Sequence, residues 1–368
     1  MPRETILTAA AARLARPYFW LFARRPFTPP KKALILKPCC VSQAMLATPL
    51  LAALHKTYPN TRFDWAVSDW ARPAVAGNPR ITELISVGPG GLGQSSWADI
   101  QKFIKRLRQE KYDTCFIPSR SSLLAFVAWQ AGIPQRIGLN VQGRGFAHTL
   151  AVKPAATERH EALIYQSLAL AAGTDAVTAA ASGMEYYAPD VDRTAVTRRL
   201  IDDLDWLGDV PLVVIHPGGG TNPVRSNAQK QWPVERFVRL GNHLVRQYAA
   251  KILLIGDEGE RPLTKQISGM MSAQVADWAG RIKLGEVGAL GEVADLYVGN
   301  DAGPTHIAAA VGCPTLAIFG PSDPAVSGPY ATKGPVTALW HEMGKPFNWD
   351  DGVTVAEAIK AADKLLAR

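Results

Sequence analysis

The chain has 368 residues, with 40 Lys+Arg against 32 Asp+Glu, a formal charge of +8, and it is 47% hydrophobic and 20% charged. That composition excludes wholesale disorder, and the length suits two domains of roughly 100–200 residues plus attachments. Four cysteines (Cys39, Cys40, Cys115, Cys313) are too few for a disulfide framework and imply a reducing, cytoplasmic setting, and no apolar run reaches the roughly 18 residues of a spanning helix.

The charge is unevenly placed. Residues 1–32 hold seven basic side chains and one acid, residues 33–180 hold 15 and 9, and residues 181–368 hold 18 and 22. A basic front half and a mildly acidic back half point to an anionic partner for the front half alone. In residues 1–32, Leu7, Ala11, Leu14, Tyr18 and Leu21 share one helical face, with Arg13, Arg16 and Arg24 on another. That pattern suits a segment lying in a bilayer interface, a helix docked on the protein's own core, or an organellar presequence. Pro17 is a defect in such a helix.

After the breaker-rich linker 27–32, residues 33–37 predict a buried parallel strand and Ala44 to Tyr58 a helix. Phe63–Val67 and Thr114–Ile117 predict further strands, with a helix from Trp97 to Glu110 between them and another from His160 to Ala172. The four glycines of residues 86–96 predict a mobile loop. A second series follows an acidic stretch at 190–209, expected to be a polar segment between domains. Its strands are expected at 212–216, 252–255, 275–278, 296–299 and 315–319. Helices are expected at 234–247, 263–271, from 286, at 305–311 and at 353–366. Two blocks of strand–helix alternation imply an α/β protein of two doubly wound domains, with ligands at the carboxyl ends of the strands.

Two turns carry the chemistry. His216-Pro217-Gly218-Gly219-Gly220 follows a strand directly, and three glycines let backbone N–H groups approach an anion. The loop continues through Arg225 to Lys230-Gln231-Trp232-Pro233, where Lys230 is a point cation suited to a phosphate and Pro233 is placed to open a helix. The second turn is Gly299-Asn300-Asp301-Ala302-Gly303-Pro304-Thr305-His306. The N–H groups of Gly303, Thr305 and His306 at a helix start suit an anion, while Asp301 is placed to accept ligand hydroxyls or to cap the helix. His306 either donates to a phosphate or packs. Together the turns could face one diphosphate from two sides. No GxGxxG dinucleotide fingerprint and no P-loop is present. The Asp190/Asp192 and Asp203/Asp205 pairs read as solvated acids, so no metal site is expected, nor a nucleic-acid partner.

Segments His216–Pro233 and Val298–Pro324 resemble the bacterial heptosyltransferase family of glycosyltransferases. Lys37–Tyr58, Arg136–Leu139 and the His160-Glu161 helix are similar to it as well, so the likeness spans most of residues 33–330. The resemblance implies a GT-B fold of two Rossmann-like domains facing a central cleft: a leader at 1–32, an acceptor-binding domain at 33–190, a nucleotide-sugar domain at 191–340 and a terminal helix at 341–368. It implies inverting, metal-independent transfer without a cofactor, from a nucleotide-diphosphate sugar of the ADP-heptose kind to a lipopolysaccharide or other glycan acceptor. By it, Gly218, Gly219, Gly220 and Lys230 hold phosphate, Asp301, Gly303, Thr305 and His306 form the nucleotide turn, and Glu260 approaches the nucleoside. A peripheral place on the inner membrane face, through residues 1–30, goes with it. Ser42-Gln43 replaces the family's Gly-Asp, whose carboxylate is the base; Gln43 can orient a hydroxyl but not take its proton. Asp69 and Asp99 are the candidate substitutes. Residues Phe116–Arg120 also depart from the family pattern. The alternatives are a catalytically impaired binding homologue and a GT-B nucleotide-sugar epimerase or hydrolase.

Overall fold

The computed structural model describes residues 14, 17–19, 26–220, 228–344 and 346–367. Most of the expected N-terminal amphipathic face, and Arg225, lie outside the described residues. The chain divides into two compact units, Met1–Gly183 and Met184–Arg368. The division falls before residue 190 because Met184, Tyr186 and Ala188 are already buried, and Met184 N donates to Tyr330 O at 2.9 Å.

In the first unit, β1 (Lys32–Leu36) leads through α1 (Val41–Met45) and α2 (Thr48–Thr57) to β2 (Arg62–Val67) and β3 (Glu83–Ser86). Then come α3 (Trp97–Glu110), β4 (Thr114–Ile117), α4 (Ser122–Gln130), β5 (Gln135–Leu139), β6 (Leu150–Val152), α5 (Glu161–Ala171) and α6 (Ala176–Ala180). The helix expected from Ala44 to Tyr58 is two helices: Leu46 ends the first and Pro49 sits in the opening turn of the second. Adjacent Cys39 and Cys40 are joined by a disulfide in the β1–α1 loop, while Cys115 and Cys313 are free and buried.

The second unit begins with α7 (Asp190–Leu204), β7 (Leu212–His216), α8 (Val234–Tyr248), β8 (Lys251–Leu254), α9 (Arg261–Met270) and β9 (Ala276–Asp277). It continues with α10 (Leu284–Val293), β10 (Leu296–Asn300), α11 (Gly303–Val311), β11 (Thr315–Ile318), α12 (Pro324–Ser327), β12 (Val336–Leu339) and α13 (Val355–Leu366). The acidic stretch expected to be a polar connector is therefore largely a helix. Val196, Leu200 and Leu204 recur every four residues and bury one stripe of α7, leaving the acids outside. Asp203 is not simply solvated either, since it accepts from Trp278 Nε1 at 2.8 Å.

Both sheets are parallel, with orders β3-β2-β1-β4-β5-β6 and β12-β11-β10-β7-β8-β9. Counted within its own unit, the second order is the first reversed: each sheet begins at its centre, winds to one edge, then returns to wind the other way. This is the dinucleotide-binding order, with a crevice at the carboxyl end of the two central strands where the winding reverses. Strands covered on both faces must be apolar throughout. Accordingly Leu34, Ile35 and Leu36 of β1 and Leu212, Val213 and Val214 of β7 have no exposed surface. Val355, Ala358, Ala362 and Leu365 of α13 pack into the core of the second unit with Phe237, Leu240 and Leu316.

Candidate active site

In the second unit the reversal lies between β7 and β10, so the turns after His216 and Asn300 are neighbours. Asn300 straps them together. Fully buried, it donates from Nδ2 to Pro217 O (2.7 Å) and Gly218 O (3.0 Å) and accepts from Trp232 N at 3.2 Å. The glycines are there for space and conformation. A Cβ on Gly218 would lie 1.7 Å from Glu260 Oε1, and Gly220 has φ +73°.

Glu260 braces this loop from behind. It accepts from Gly220 N (2.9 Å) and Asp257 N (3.0 Å) and meets His216 Nε2 at 3.1 Å. Burial alone would raise its carboxyl, but the charge and hydrogen bond of His216 and the two backbone donors outweigh that and bring it down to about 2. Both oxygens are thus engaged by the protein itself.

Asp301 does not cap α11, whose N-cap Ala302 offers no side chain to the first-turn N–H groups. Its carboxylate instead accepts from Lys230 Nζ and Ser322 Oγ, each at 2.5 Å, while Lys230 also reaches Asp301 O at 3.2 Å. Burial opposes ionisation of Asp301, but His306, Lys230 and Ser322 more than compensate and hold it well below the usual carboxylate range. Lys230 rides on a 3₁₀ turn, Ala228–Lys230, two residues before the buried Trp232. Thr305 turns its hydroxyl back onto Asn300 O at 2.6 Å. His306 is fully buried, with Nε2 4.0 Å from Asp301 Oδ1, and neither ring nitrogen has a hydrogen-bond partner among the described residues. The fold thus gathers Gly218, Gly219, Gly220, Lys230, Glu260, Asp301, Gly303, Thr305 and His306 at one sheet end, joined by His216 and Asn300, which lie in the sequence motifs but were given no role there, and by Ser322.

The first unit repeats the plan between β1 and β4. Lys37, just past β1, is buried and donates to Pro118 O (2.8 Å), Tyr165 Oη (2.8 Å) and Gln43 Oε1 (3.2 Å). Tyr165 Oη donates to the same Gln43 oxygen at 2.5 Å, and Arg120 pairs with Glu161 at 2.6 Å. Burial pushes Lys37 down to about 7; Glu161 opposes that shift and Arg120 reinforces it. Asp69 and Asp99 are engaged elsewhere, with the hydroxyls of Ser86 and Ser96 at 2.6 Å each. Asp99, with Ser86 and Ser96, borders an open pocket of about 500 Å³ beyond β3, lined also by Gly88, Gly91, Lys102 and Arg106. Near the amino ends of β2 and β3, Asp64, Glu83 and Glu110 bring carboxylate oxygens within 4.8 Å of one another. Lys32, Arg62 and Arg106 already balance those charges.

A family model for glycosyltransferase family 9 (heptosyltransferase) matches residues 100–347. Lipopolysaccharide heptosyltransferase 2 of Salmonella typhimurium is 25% identical over 328 residues, covering 85% of this chain and 90% of the relative. Lipooligosaccharide heptosyltransferase 2 of Haemophilus influenzae is 26% identical, covering 83% and 88%. Among solved structures, a glycosyl transferase family 9 protein from Veillonella parvula superposes with TM-score 0.78 at 20% identity, covering 92% of this chain and 97% of that one. Escherichia coli ADP-heptose lps heptosyltransferase II gives 0.72 at 22%, covering 91% and 98%. The two Rossmann-like sheets are those of the GT-B fold, and with a family model matched over about two thirds of its length the chain belongs to glycosyltransferase family 9, the heptosyltransferases.

Proposed function

We propose that this glycosyltransferase moves a heptose-like sugar from a nucleoside-diphosphate donor of the ADP-heptose kind to a lipopolysaccharide-type acceptor, with inversion at the anomeric carbon. The observation that carries the donor half is the strapped pair of turns in the second unit, where a glycine loop, a helix start and Lys230 converge. In this reading, the Gly218–Gly220 loop and the first turn of α11 receive the diphosphate, and Lys230 exchanges part of its contact with Asp301 for a phosphate oxygen. Asp301, Gly303, Thr305 and His306 line the nucleotide, while Glu260 holds the loop in shape. Such preorganised donors stabilise the leaving diphosphate without moving at the moment of reaction.

The acceptor belongs to the first unit. Its net positive charge and the pocket carrying Lys102 and Arg106 suit an anionic glycan. Leu14 is 83% exposed and Tyr18 61%, whereas Phe19 is buried against Trp129 and Phe146, ring centroids 4.9 and 5.0 Å away. Phe19 would then anchor the leader to the domain while its outward neighbours meet a membrane surface. The binding-only alternative draws on Gln43, which cannot ionise. Incubation with ADP-heptose and heptose-deficient lipopolysaccharide separates the readings. Transfer predicts ADP release matched by gain of one heptose on the acceptor, and loss of both in Lys230→Ala. Tight donor binding with no ADP release would favour the binding protein.

A further inference from the structure

The transfer reaction needs a proton acceptor, and by the family resemblance Gln43 stands where a carboxylate is expected. The ionisable groups bonded to Gln43 Oε1 are not carboxylates but the Tyr165 hydroxyl, at 2.5 Å, and Lys37, at 3.2 Å. We propose that Lys37, as a neutral amine, takes the acceptor hydroxyl's proton; this role rests on the transfer reading above.

The contacts of Lys37 favour it. Its three hydrogen-bond partners, Pro118 O, Tyr165 Oη and Gln43 Oε1, are all neutral, so no carboxylate within hydrogen-bond distance locks the amine in its charged form. The charged groups facing it are Glu161 on α5 and Arg120 after β4; these are bonded to each other at 2.6 Å, and Arg120 offsets part of the Glu161 field, with burial outweighing both. Tyr165, on α5, is the third titratable neighbour, and burial raises its phenol well above the ordinary value, so it stays a hydroxyl. The same heavy-atom positions suit both states of the lysine. As an ammonium, Lys37 donates three times and Tyr165 donates to Gln43. As an amine, it donates twice, and its lone pair accepts from Tyr165 or from an incoming hydroxyl.

Access follows from burial. Lys37 is 3% exposed, but Gln43 is only partly buried, and the Lys37–Gln43 contact is the longest of the three. An acceptor hydroxyl that displaces Gln43 Oε1 therefore reaches the amine at the least cost. In the step, the hydroxyl O–H bond breaks and a bond forms from hydrogen to Lys37 Nζ. The freed oxygen pair attacks the anomeric carbon, and the bond from that carbon to the diphosphate oxygen breaks. Lys37 ends as an ammonium and returns its proton to solvent between turnovers. Lysine suits this task because burial tunes it readily, whereas arginine at the same place keeps the charge and cannot accept a proton.

The test compares wild type, Lys37→Arg and Lys37→Met in the ADP-release assay from pH 5.5 to 9, with ADP-heptose and heptose-deficient lipopolysaccharide. ADP binding by calorimetry checks that the variants fold. Independently, ¹⁵N NMR of lysine Nζ in the wild-type protein follows the amine itself, assigned by its loss in Lys37→Arg. The proposal expects wild-type kcat to rise through about pH 7 and a lysine Nζ to titrate there. Both variants should lose roughly 10²–10⁴-fold in kcat with ADP affinity unchanged. A Lys37→Arg protein with wild-type kcat and profile would overturn it, as would a Lys37 amine still protonated at pH 9. Wild type that binds ADP-heptose but transfers nothing would instead overturn the transfer reading, and the role with it. The two failures are told apart by whether wild-type turnover is present.

Discussion

At the scale of single residues, the proposed donor site depends on carboxylates that the protein itself keeps ionised. Glu260 is the sharpest case. Its folded carboxyl titrates near 2 against an ordinary 4.5, so its pairing stabilises the fold fully above about pH 4.5, and that contribution is lost as pH falls toward 2. The shift corresponds to roughly 3 kcal/mol. Glu260→Gln should therefore lower stability at pH 7 and flatten the pH dependence between 4.5 and 2, measured by urea unfolding at each pH. An unchanged slope would remove Glu260 as the brace of the glycine loop. Gly218–Gly220, Lys230 and the 301–306 turn were legible in the sequence because each lies in one short, continuous motif. The Lys37–Tyr165 contact was not, since its partners stand 128 residues apart and only the fold joins them. A hint was present all the same: Lys37 is a cation ending an apolar strand, which a buried strand end tolerates only with partners.

Among the elements, the pairing of β7 with β10 decides whether there is a donor site at all. Their turns are separated by more than 80 residues, and Asn300 bridges them with hydrogen bonds to Pro217 O, Gly218 O and Trp232 N. At about 1 kcal/mol each, plus the penalty for leaving buried partners unpaired, Asn300→Ala should cost roughly 3 kcal/mol. Calorimetric melting should show this as a lower transition, accompanied by weaker ADP binding. Full ADP affinity in that variant would mean that the turns hold their positions without the strap. The central strands were readable as apolar runs. Strands β3, β6 and β12 were not, because they are short and carry partly exposed residues, nor was β5, which is buried but opens on the polar Gln135 and Arg136. Helix α7 was hidden by its acids: six aspartates in residues 190–209 mask a three-residue apolar stripe.

On the scale of the whole molecule, the charge asymmetry matches a division of labour. In the proposed reading, the second unit would hold an anionic donor with a few placed groups and need no net positive charge. The first unit and leader carry the excess, where an anionic glycolipid would approach. Rings run from Trp97 through Phe126 and Trp129 to Phe19 and Tyr18, with Trp97 58% exposed. Aromatic rings beside basic side chains suit a headgroup interface. Replacing Tyr18 and Trp97 together by Ser should weaken cosedimentation with anionic liposomes several-fold, and unchanged cosedimentation would set the membrane reading aside. The central claim, a nucleoside-diphosphate sugar held between the two turns of the second unit, is tested most directly by calorimetric titration of ADP-heptose into wild type and Lys230→Ala. The account predicts saturable one-site binding in the wild type, weakened at least tenfold in the variant. Failure of ADP-heptose to bind the wild type, or equal affinity in both proteins, would contradict it.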